Sequence, residues 1–400
     1  AVTRLRIQAP VPGRGIVGLE IPNAETSIVR IRTIIESPAF AHLDEPLAVA
    51  LGQGVSGVPL TVSLARMPHL LIAGATGTGK SVCLNACISC LVFNNSPDTL
   101  RLVMIDPKKV ELIRFNGLPH LLGKVEVEHE RVTGVLRWLM QEMDERYQKF
   151  AAIRARNLEA YNAKVRASGK ANPLPYITVF IDELADLMVL YPAEVESALC
   201  RLAQMARATG IHLVVATQRP STDVLTGLIK ANFPARIAFA VASGVDSRVI
   251  LDSVGAEHLL GRGDMLYLSS DASVPMRVQS CFVGDNEIER LVRHWQRQMP
   301  EFDAGEAPWE RIIARQQHID ETDDMLEEAI ELVQQYDTIS TSFIQRRLRV
   351  GYPRAARLME ALYEMGLVED PKEGGQTRQV YVDKEGPDPL DQFLNTQDEE

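Results

Sequence analysis

Residues 69–91 read HLLIAGATGTGKSVCLNACISCL. An apolar run, Leu70 to Ala73, breaks into glycines, then Lys80 and Ser81, and resumes at helical spacing. Gly74, Ala75, Thr76, Gly77, Thr78, Gly79, Lys80 and Ser81 fit G-x-x-x-x-G-K-[ST] at every fixed position, between a strand-like and a helix-like run, which is the context this motif requires. The glycines admit backbone conformations that a side chain forbids, so that N–H groups curl around phosphate oxygens. The helix that opens at Lys80 and runs on through Val82 adds its positive end. Lys80 is expected to neutralise the β- and γ-phosphates of ATP, and the Ser81 hydroxyl to sit on Mg²⁺.

The 400 residues are 46% hydrophobic and 24% charged, a soluble globular composition with room for two or three domains. No apolar stretch approaches the ~18 residues of a membrane span, and no signal peptide opens the chain. The expectation is a cytoplasmic protein, and the Ala1 start suggests a piece of a longer parent. Cys83, Cys87 and Cys90 share one helix face, where small buried thiols are a more economical reading than a metal site. Cys200 and Cys281 stand apart, as reduced thiols. A net charge of −11 argues against a protein that simply coats nucleic acid, though not against local basic surfaces.

Outward from the phosphate loop, strand-like runs (Leu70–Ala73, Arg101–Ile105, Ile177–Ile181, His212–Ala216, Ile237–Val241) alternate with helical stretches from about 46 to 298. That alternation predicts an α/β sheet with helices on both faces. Residues 1–45 read as a small mixed unit, Val132 to Ala163 as helix and 299–322 as a linker. Residues 323–385 read as a separate small domain and 386–400 as an acidic disordered tail.

About a hundred residues past the loop, YITVFIDELADL is a buried strand ending in Asp182 and Glu183. Asp182 suits a Mg²⁺ ligand and Glu183 the residue that orients or deprotonates water. Acids also suit the first turn of a helix, which is the structural alternative. HLVVATQRPS puts Thr217, Gln218 and Arg219 at another strand end, where Gln218 can touch a γ-phosphate. Arg207 is a candidate arginine finger for a neighbouring subunit, or a surface arginine near a helix C-terminus. MIDPKKVEL ends a further strand at Asp106, to which chemistry alone assigns no role.

In the small domain, MLEEAIELVQQY, STSFIQRRL and PRAARLMEALYEM are three amphipathic helices. Ala355, Leu358, Met359, Leu362 and Met365 form the buried stripe of the third, leaving Arg354 and Arg357 on its open face. GLVED, a turn at Gly374 and Gly375, and RQVYV follow as a β-hairpin. Three helices and a hairpin make a winged helix-turn-helix. Arg346, Arg347, Arg349, Arg354 and Arg357 follow one another with no acid between them, a pattern suited to phosphate and guanine contacts in duplex DNA. A protein-docking winged helix with a solvated basic edge is the alternative.

With these stretches in view, the chain resembles the FtsK/SpoIIIE family of DNA translocases over nearly its whole length. MPHLLIAGATGTGKSV, VFIDELADLM, ATQRPSTDVLTGLIKAN and GAEHLLGRGDMLYL carry the resemblance, the last two most specifically. It implies a RecA-like P-loop NTPase motor at 46–298, the end of a smaller α-like domain at 1–45 and a γ-like winged helix. It further implies a hexameric ring around double-stranded DNA, contact with a XerD-type recombinase and a membrane-anchored parent. Arg207 becomes the favoured trans finger, while Arg219, Lys230 and Arg248 align with channel-facing basic positions. Gly244 stands where the family often has Lys, so one expected phosphate contact is missing. The function so implied is an ATP-driven DNA translocase, with Lys80, Asp182, Glu183, Gln218 and Arg207 catalytic. DNA is expected at Arg219, Lys230, Arg248, Arg347, Arg349, Arg354 and Arg357. Its rivals are a conjugation or secretion ATPase of the same superfamily, and a DNA-binding regulator whose ATP site only controls assembly.

Overall fold

The computed structural model describes residues 6–8, 16–21, 23, 27–43, 45–169, 171–302, 305–369, 377–381, 388–390 and 393–394. The chain divides into two compact units, Ala1–Ala307 and Pro308–Glu400.

In the first unit, β1 (Arg6–Gln8) and β2 (Gly18–Glu20) form a short antiparallel ribbon. The main sheet holds β3 (Ala48–Gly54), β4 (Pro59–Ser63), β5 (His69–Ala73), β6 (Leu100–Ile105), β7 (Tyr176–Ile181), β8 (Ile211–Thr217), β9 (Ala235–Phe239), β10 (Asp264–Leu268) and β11 (Met276–Ser280). Its order is β4-β3-β11-β10-β9-β5-β8-β7-β6. From β9 to β6 every pairing is parallel, and from β9 to β4 every pairing is antiparallel. β5, β7, β8 and β9 are buried along their whole lengths, which is why they read as unbroken apolar runs. The helix Lys80–Asn94 is buried almost all round, and its thiols Cys83, Cys87 and Cys90 are free and enclosed.

Four features depart from the sequence reading. The stretch read as helix from Val132 to Ala163 is two helices, His129–Ala152 and Leu158–Ser168. Arg154 adopts a left-handed φ of 54° between them and the Asn157 side chain caps the second, accepting from the Ala160 N–H. Residues 29–45 also do not stand apart: Ile31, Ile34 and Phe40 join the core that holds β3 and the helix Lys80–Asn94. The stretch 299–322 is half helix, Glu310–Thr322, with Trp309, Ile313 and Ile319 buried, so the division falls at 307/308. Finally, the acidic end is ordered at its described residues. Leu390 is fully buried in the second core, and Phe393 and Leu394 pack against it. An acidic composition concealed a short apolar anchor.

The second unit contains helices Leu326–Gln334, Thr341–Leu348 and Tyr352–Glu364. β12 (Thr338–Ile339) pairs antiparallel with β13 (Arg378–Gln379), and Val380 bridges Val368, completing a wing. The predicted Gly374–Gly375 turn lies outside the described residues. The stripe Ala355, Leu358, Met359, Leu362 and Met365 is buried, as its spacing predicts.

Candidate active site

The phosphate loop leaves β5, which lies between β9 and β8 among the parallel strands, at the carboxyl ends where ligand sites of open α/β sheets gather. Two glycines explain its path. A Cβ on Gly74 would lie 2.5 Å from the Phe239 Cβ, and Gly79 has a φ of +120° with the Gly263 backbone 2.8 Å from where its Cβ would be. The loop therefore lies against β9 and the 260–263 turn closely enough to exclude side chains. A cavity of about 640 Å³ opens over it, walled by Ala75, Gly77, Lys80 and Ser81 on one side and by Arg262 and Phe282 on the other.

Lys80 is buried, and its Nζ donates to both the carbonyl oxygen and Oδ1 of Asp182, each at 2.7 Å. The loop lysine on β5 thus reaches across β8 to the end of β7. Asp182 Oδ2 is buried and has no hydrogen-bond partner among the described residues. A carboxylate oxygen in that position is fitted to a cation, the partner that most cheaply compensates its desolvation.

Glu183 sits beside it, also buried. Its Oε1 accepts from Thr217 Oγ1 at 2.7 Å and from the Gln218 N–H at 3.0 Å, and its Oε2 accepts from Lys108 Nζ at 2.7 Å. Burial alone would raise the Glu183 carboxyl, but Lys108, Thr217 and the Gln218 amide together hold it below the ordinary glutamate value. The Gln218 side chain turns back to the phosphate loop, where its Oε1 accepts from Thr76 Oγ1 at 2.7 Å. Asp106, to which the sequence assigned no role, organises the neighbouring loop. Its Oδ2 accepts the N–H groups of Val110, Glu111 and Leu112 at 3.0, 2.9 and 2.8 Å, fixing the turn that carries Lys108. Sequence inspection singled out this loop by its place at a strand end, but not the ion pair, which joins residues 75 apart.

The structure brings Lys80, Ser81, Asp182, Glu183 and Gln218 to one edge of the sheet. Arg207 is elsewhere. It follows the helix Pro192–Met205 and precedes β8, so it lies exposed at the amino ends of the strands, beside Tyr147, Arg156 and His212. It lies at the opposite end of the strands from the phosphate loop.

Arg219 and Arg248 are exposed. Lys230 is less free: its Nζ meets Asp252 Oδ1 at 2.7 Å, while Arg236 takes Oδ2 at 2.6 Å. At Gly244 a Cβ would approach the Glu257 carboxylate at 3.1 Å, a movable group, so a longer side chain is sterically admissible there.

In the second unit, Arg346, Arg349 and Arg357 are exposed. Arg347 is exposed but anchored, donating to the Tyr336 hydroxyl at 2.6 Å with its guanidinium over the Tyr336 and Phe343 rings. Arg354 is not on an open face with Arg357: it forms a bidentate pair with Asp323 at 2.8–3.0 Å and also meets Asp324. Two acids between the helices Glu310–Thr322 and Leu326–Gln334, distant in sequence, claim it.

Two family models match the chain, FtsK/SpoIIIE family over residues 30–222 and Ftsk gamma domain over 320–383. The DNA translocase FtsK of Clostridium tetani is 46% identical over 391 residues, covering 96% of this chain and 52% of that protein. The DNA translocase SpoIIIE of Bacillus subtilis is 46% identical over 396 residues, covering 98% and 50%. The chain belongs to the FtsK/SpoIIIE family. It spans about half the length of the curated relatives it matches. Among solved structures, the pCW3 conjugation coupling protein TcpA, determined with ATPγS, aligns with a TM-score of 0.58 at 25% identity, over 73% of this chain and 81% of that one. The type VII secretion ATPase EccC of Thermomonospora curvata aligns at 0.59 and 21%, over 71% and 35%, a likeness of fold alone. Within the FtsK/SpoIIIE family, then, the sheet of the first unit is the RecA-like P-loop ATPase fold and the second unit is the gamma-type winged helix.

Proposed function

We propose that this chain is the motor part of an ATP-driven translocase of double-stranded DNA, with a winged helix that orients it on chromosomal sequence. One observation carries the reading. In a chain of this family, a phosphate-loop lysine and a glutamine that touches the phosphate loop line one cavity large enough for a nucleotide, and two buried strand-end acids hold them from behind, Asp182 through the Lys80 ammonium and Glu183 through the Gln218 N–H.

ATP would lie on residues 74–82, with Lys80 leaving Asp182 for the phosphates. Ser81 and the unpartnered Asp182 Oδ2 would hold Mg²⁺, which when bound neutralises charge on the phosphates. Glu183 would orient or deprotonate the attacking water, and Gln218 would sense the γ-phosphate through Thr76. Arg207, at the opposite edge of the sheet, would complete the site of the next subunit in a homo-hexameric ring. Arg219, Lys230 and Arg248 would meet the phosphate backbone in the channel, and only that lining need be positive in a chain of net charge −11. Lys230 would have to exchange Asp252 for phosphate. In the winged helix, Arg347, Arg349 and Arg357 would contact DNA, with Arg354 bracing the fold from Asp323. The motor domain would cover 46–298 together with the helices of 29–45 that share its core. A XerD-type recombinase as partner of the winged helix and a membrane-anchored parent belong to the same proposal.

The test is steady-state ATP hydrolysis with no polymer, duplex DNA, single-stranded DNA or an unfolded polypeptide, each at low and high salt. Stimulation by duplex alone, weakening as salt rises, is expected. Stimulation by polypeptide or single strands without duplex would replace the reading with a secretion or conjugation ATPase. No steady hydrolysis under any condition would leave a nucleotide-controlled binding protein.

A further inference from the structure

The residue proposed to activate water is, in this structure, unable to do so. A carboxylate has about four lone-pair positions, and a general base must offer one to the water it deprotonates. Glu183 Oε1 is filled by the Thr217 hydroxyl at 2.7 Å and the Gln218 N–H at 3.0 Å, with the Ala185 N–H at 3.4 Å. Oε2 is held by Lys108 Nζ at 2.7 Å and shares the Gln218 N–H at 3.2 Å. Glu183 is 1% exposed and Lys108 37%, so the lysine closes the carboxylate from the solvent side.

The geometry of this pair points to a role the sequence did not suggest: we propose that Lys108 is a positioning residue that holds Glu183 in a resting state and restrains ATP hydrolysis until duplex DNA is engaged. The inference rests on the reading of Glu183 as the water-activating group.

The restraint has an anchored base and a route for release. Asp106 fixes the turn by accepting three backbone N–H groups, so Lys108 is presented from a firm loop rather than from a flexible one. On the other side, the Arg219 N–H donates to Thr217 Oγ1 at 3.1 Å, and that same hydroxyl donates to Glu183. Arg219 is an exposed basic residue proposed to touch the DNA backbone. A shift of the 217–219 turn when Arg219 takes a phosphate moves two of the Glu183 donors together, drawing the carboxylate away from the lysine. Gln218, in the same turn, is tied to Thr76 of the phosphate loop, so the release also feels the nucleotide.

The experiment compares DNA-free and duplex-saturated ATP hydrolysis, as kcat and KM, in the full chain and in Lys108→Met, Lys108→Arg, Glu183→Gln and the double variant Lys108→Met/Glu183→Gln. Lys108→Met is expected to raise the DNA-free kcat roughly tenfold, a part of the 10²–10⁴ that a positioned general base supplies, because it frees an Oε2 lone pair for water, while KM stays put. Stimulation by DNA falls in proportion. Lys108→Arg, which keeps the charge, restores most of the restraint, and adding Glu183→Gln to Lys108→Met removes the gain. If Lys108→Met lowers both rates, the lysine belongs to the active state and the proposal fails; if it changes neither, the ion pair is structural and the proposal also fails. Normal hydrolysis by Glu183→Gln alone would instead overturn the reading of Glu183, a separate outcome. Nucleotide binding and a thermal melt on each variant identify one that has failed to fold, and Lys108→Gln then takes the place of Lys108→Met.

Discussion

Replacing Asp182 by Asn isolates the electrostatics of the buried pair. Lys80 and Asp182 are 3% and 1% exposed and 2.7 Å apart, so neither charge is compensated by water. Removing one partner of a buried pair costs about 3–5 kcal/mol, because the other charge is left in a poor environment. Here the lysine keeps the Asp182 carbonyl oxygen at 2.7 Å, and an Asn side-chain oxygen still accepts from it, which places the loss near ~3 kcal/mol. At about 2 °C per kcal/mol for a unit of this size, the melting transition of the first unit falls by about 6 °C in calorimetry. The double variant Lys80→Met/Asp182→Asn carries no orphaned charge, so its loss is smaller than the sum of the single losses by ~1–3 kcal/mol. ATP without magnesium protects Asp182→Asn more than the parent, since phosphates meet a lysine that no longer has a competing carboxylate. Additive losses, or a transition unmoved by Asp182→Asn, would refute the reasoning.

Three further outcomes follow from other parts of the fold. His69, His120 and His212 are buried, and burial, aided at His212 by the charges of Arg207 and Arg146, lowers them to about 3, 4 and 4. Unfolded histidines bind protons below about 6.5 while these do not, so stability is complete above that pH and falls as pH drops toward 4, by up to ~1.4 kcal/mol per unit for each. Denaturant midpoints from pH 7 to 4.5 test this, and His212→Gln should flatten the slope. Leu390→Ala should destabilise the second unit by ~2–3 kcal/mol, measured by its own melting transition, because a fully buried leucine leaves a cavity. In filter binding to duplex DNA, Arg357→Ala should weaken affinity and reduce the salt slope by about one, whereas Arg354→Ala should lower the melting transition of its domain instead, through loss of the Asp323 pair.

The parallel half of the sheet was legible because its strands are buried on both faces and so spell continuous apolar runs ending in polar residues at the nucleotide site. Leu70–Ala73 and Ile177–Ile181 differ from the observed strands only at their ends. β3, β4, β10 and β11 were harder to see. They pair antiparallel on the other side of β9, and β4 and β11 are only partly buried, so no continuous apolar run announces those two. The residues of the phosphate loop and the β7 acids were legible from local pattern. Their pairings were not: Lys80 with Asp182, Lys108 with Glu183 and Arg354 with Asp323 each join separate segments, and composition carries no trace of such a meeting. Asp106 illustrates the same limit within a few residues, since its partners are backbone groups that every sequence possesses. Leu390, lying among acids, shows that one well-buried leucine outweighs an unfavourable local composition.

The placement of Arg207 and the phosphate loop at opposite ends of the same strands has a consequence for counting. If Arg207 completes a neighbour's site as proposed, each subunit has a giving end and a receiving end, and copies stacked with their strands in the same direction meet head to tail, so that a pair joined in this way leaves one site without a donor. In any open row of such subunits the terminal receiver goes without a donor, and that idle fraction shrinks as the row lengthens. Only closure abolishes it. Hydrolysis per subunit would then climb with assembly size and jump when the ring shuts, making the geometry of a single sheet an arithmetic check on whether a ring has formed.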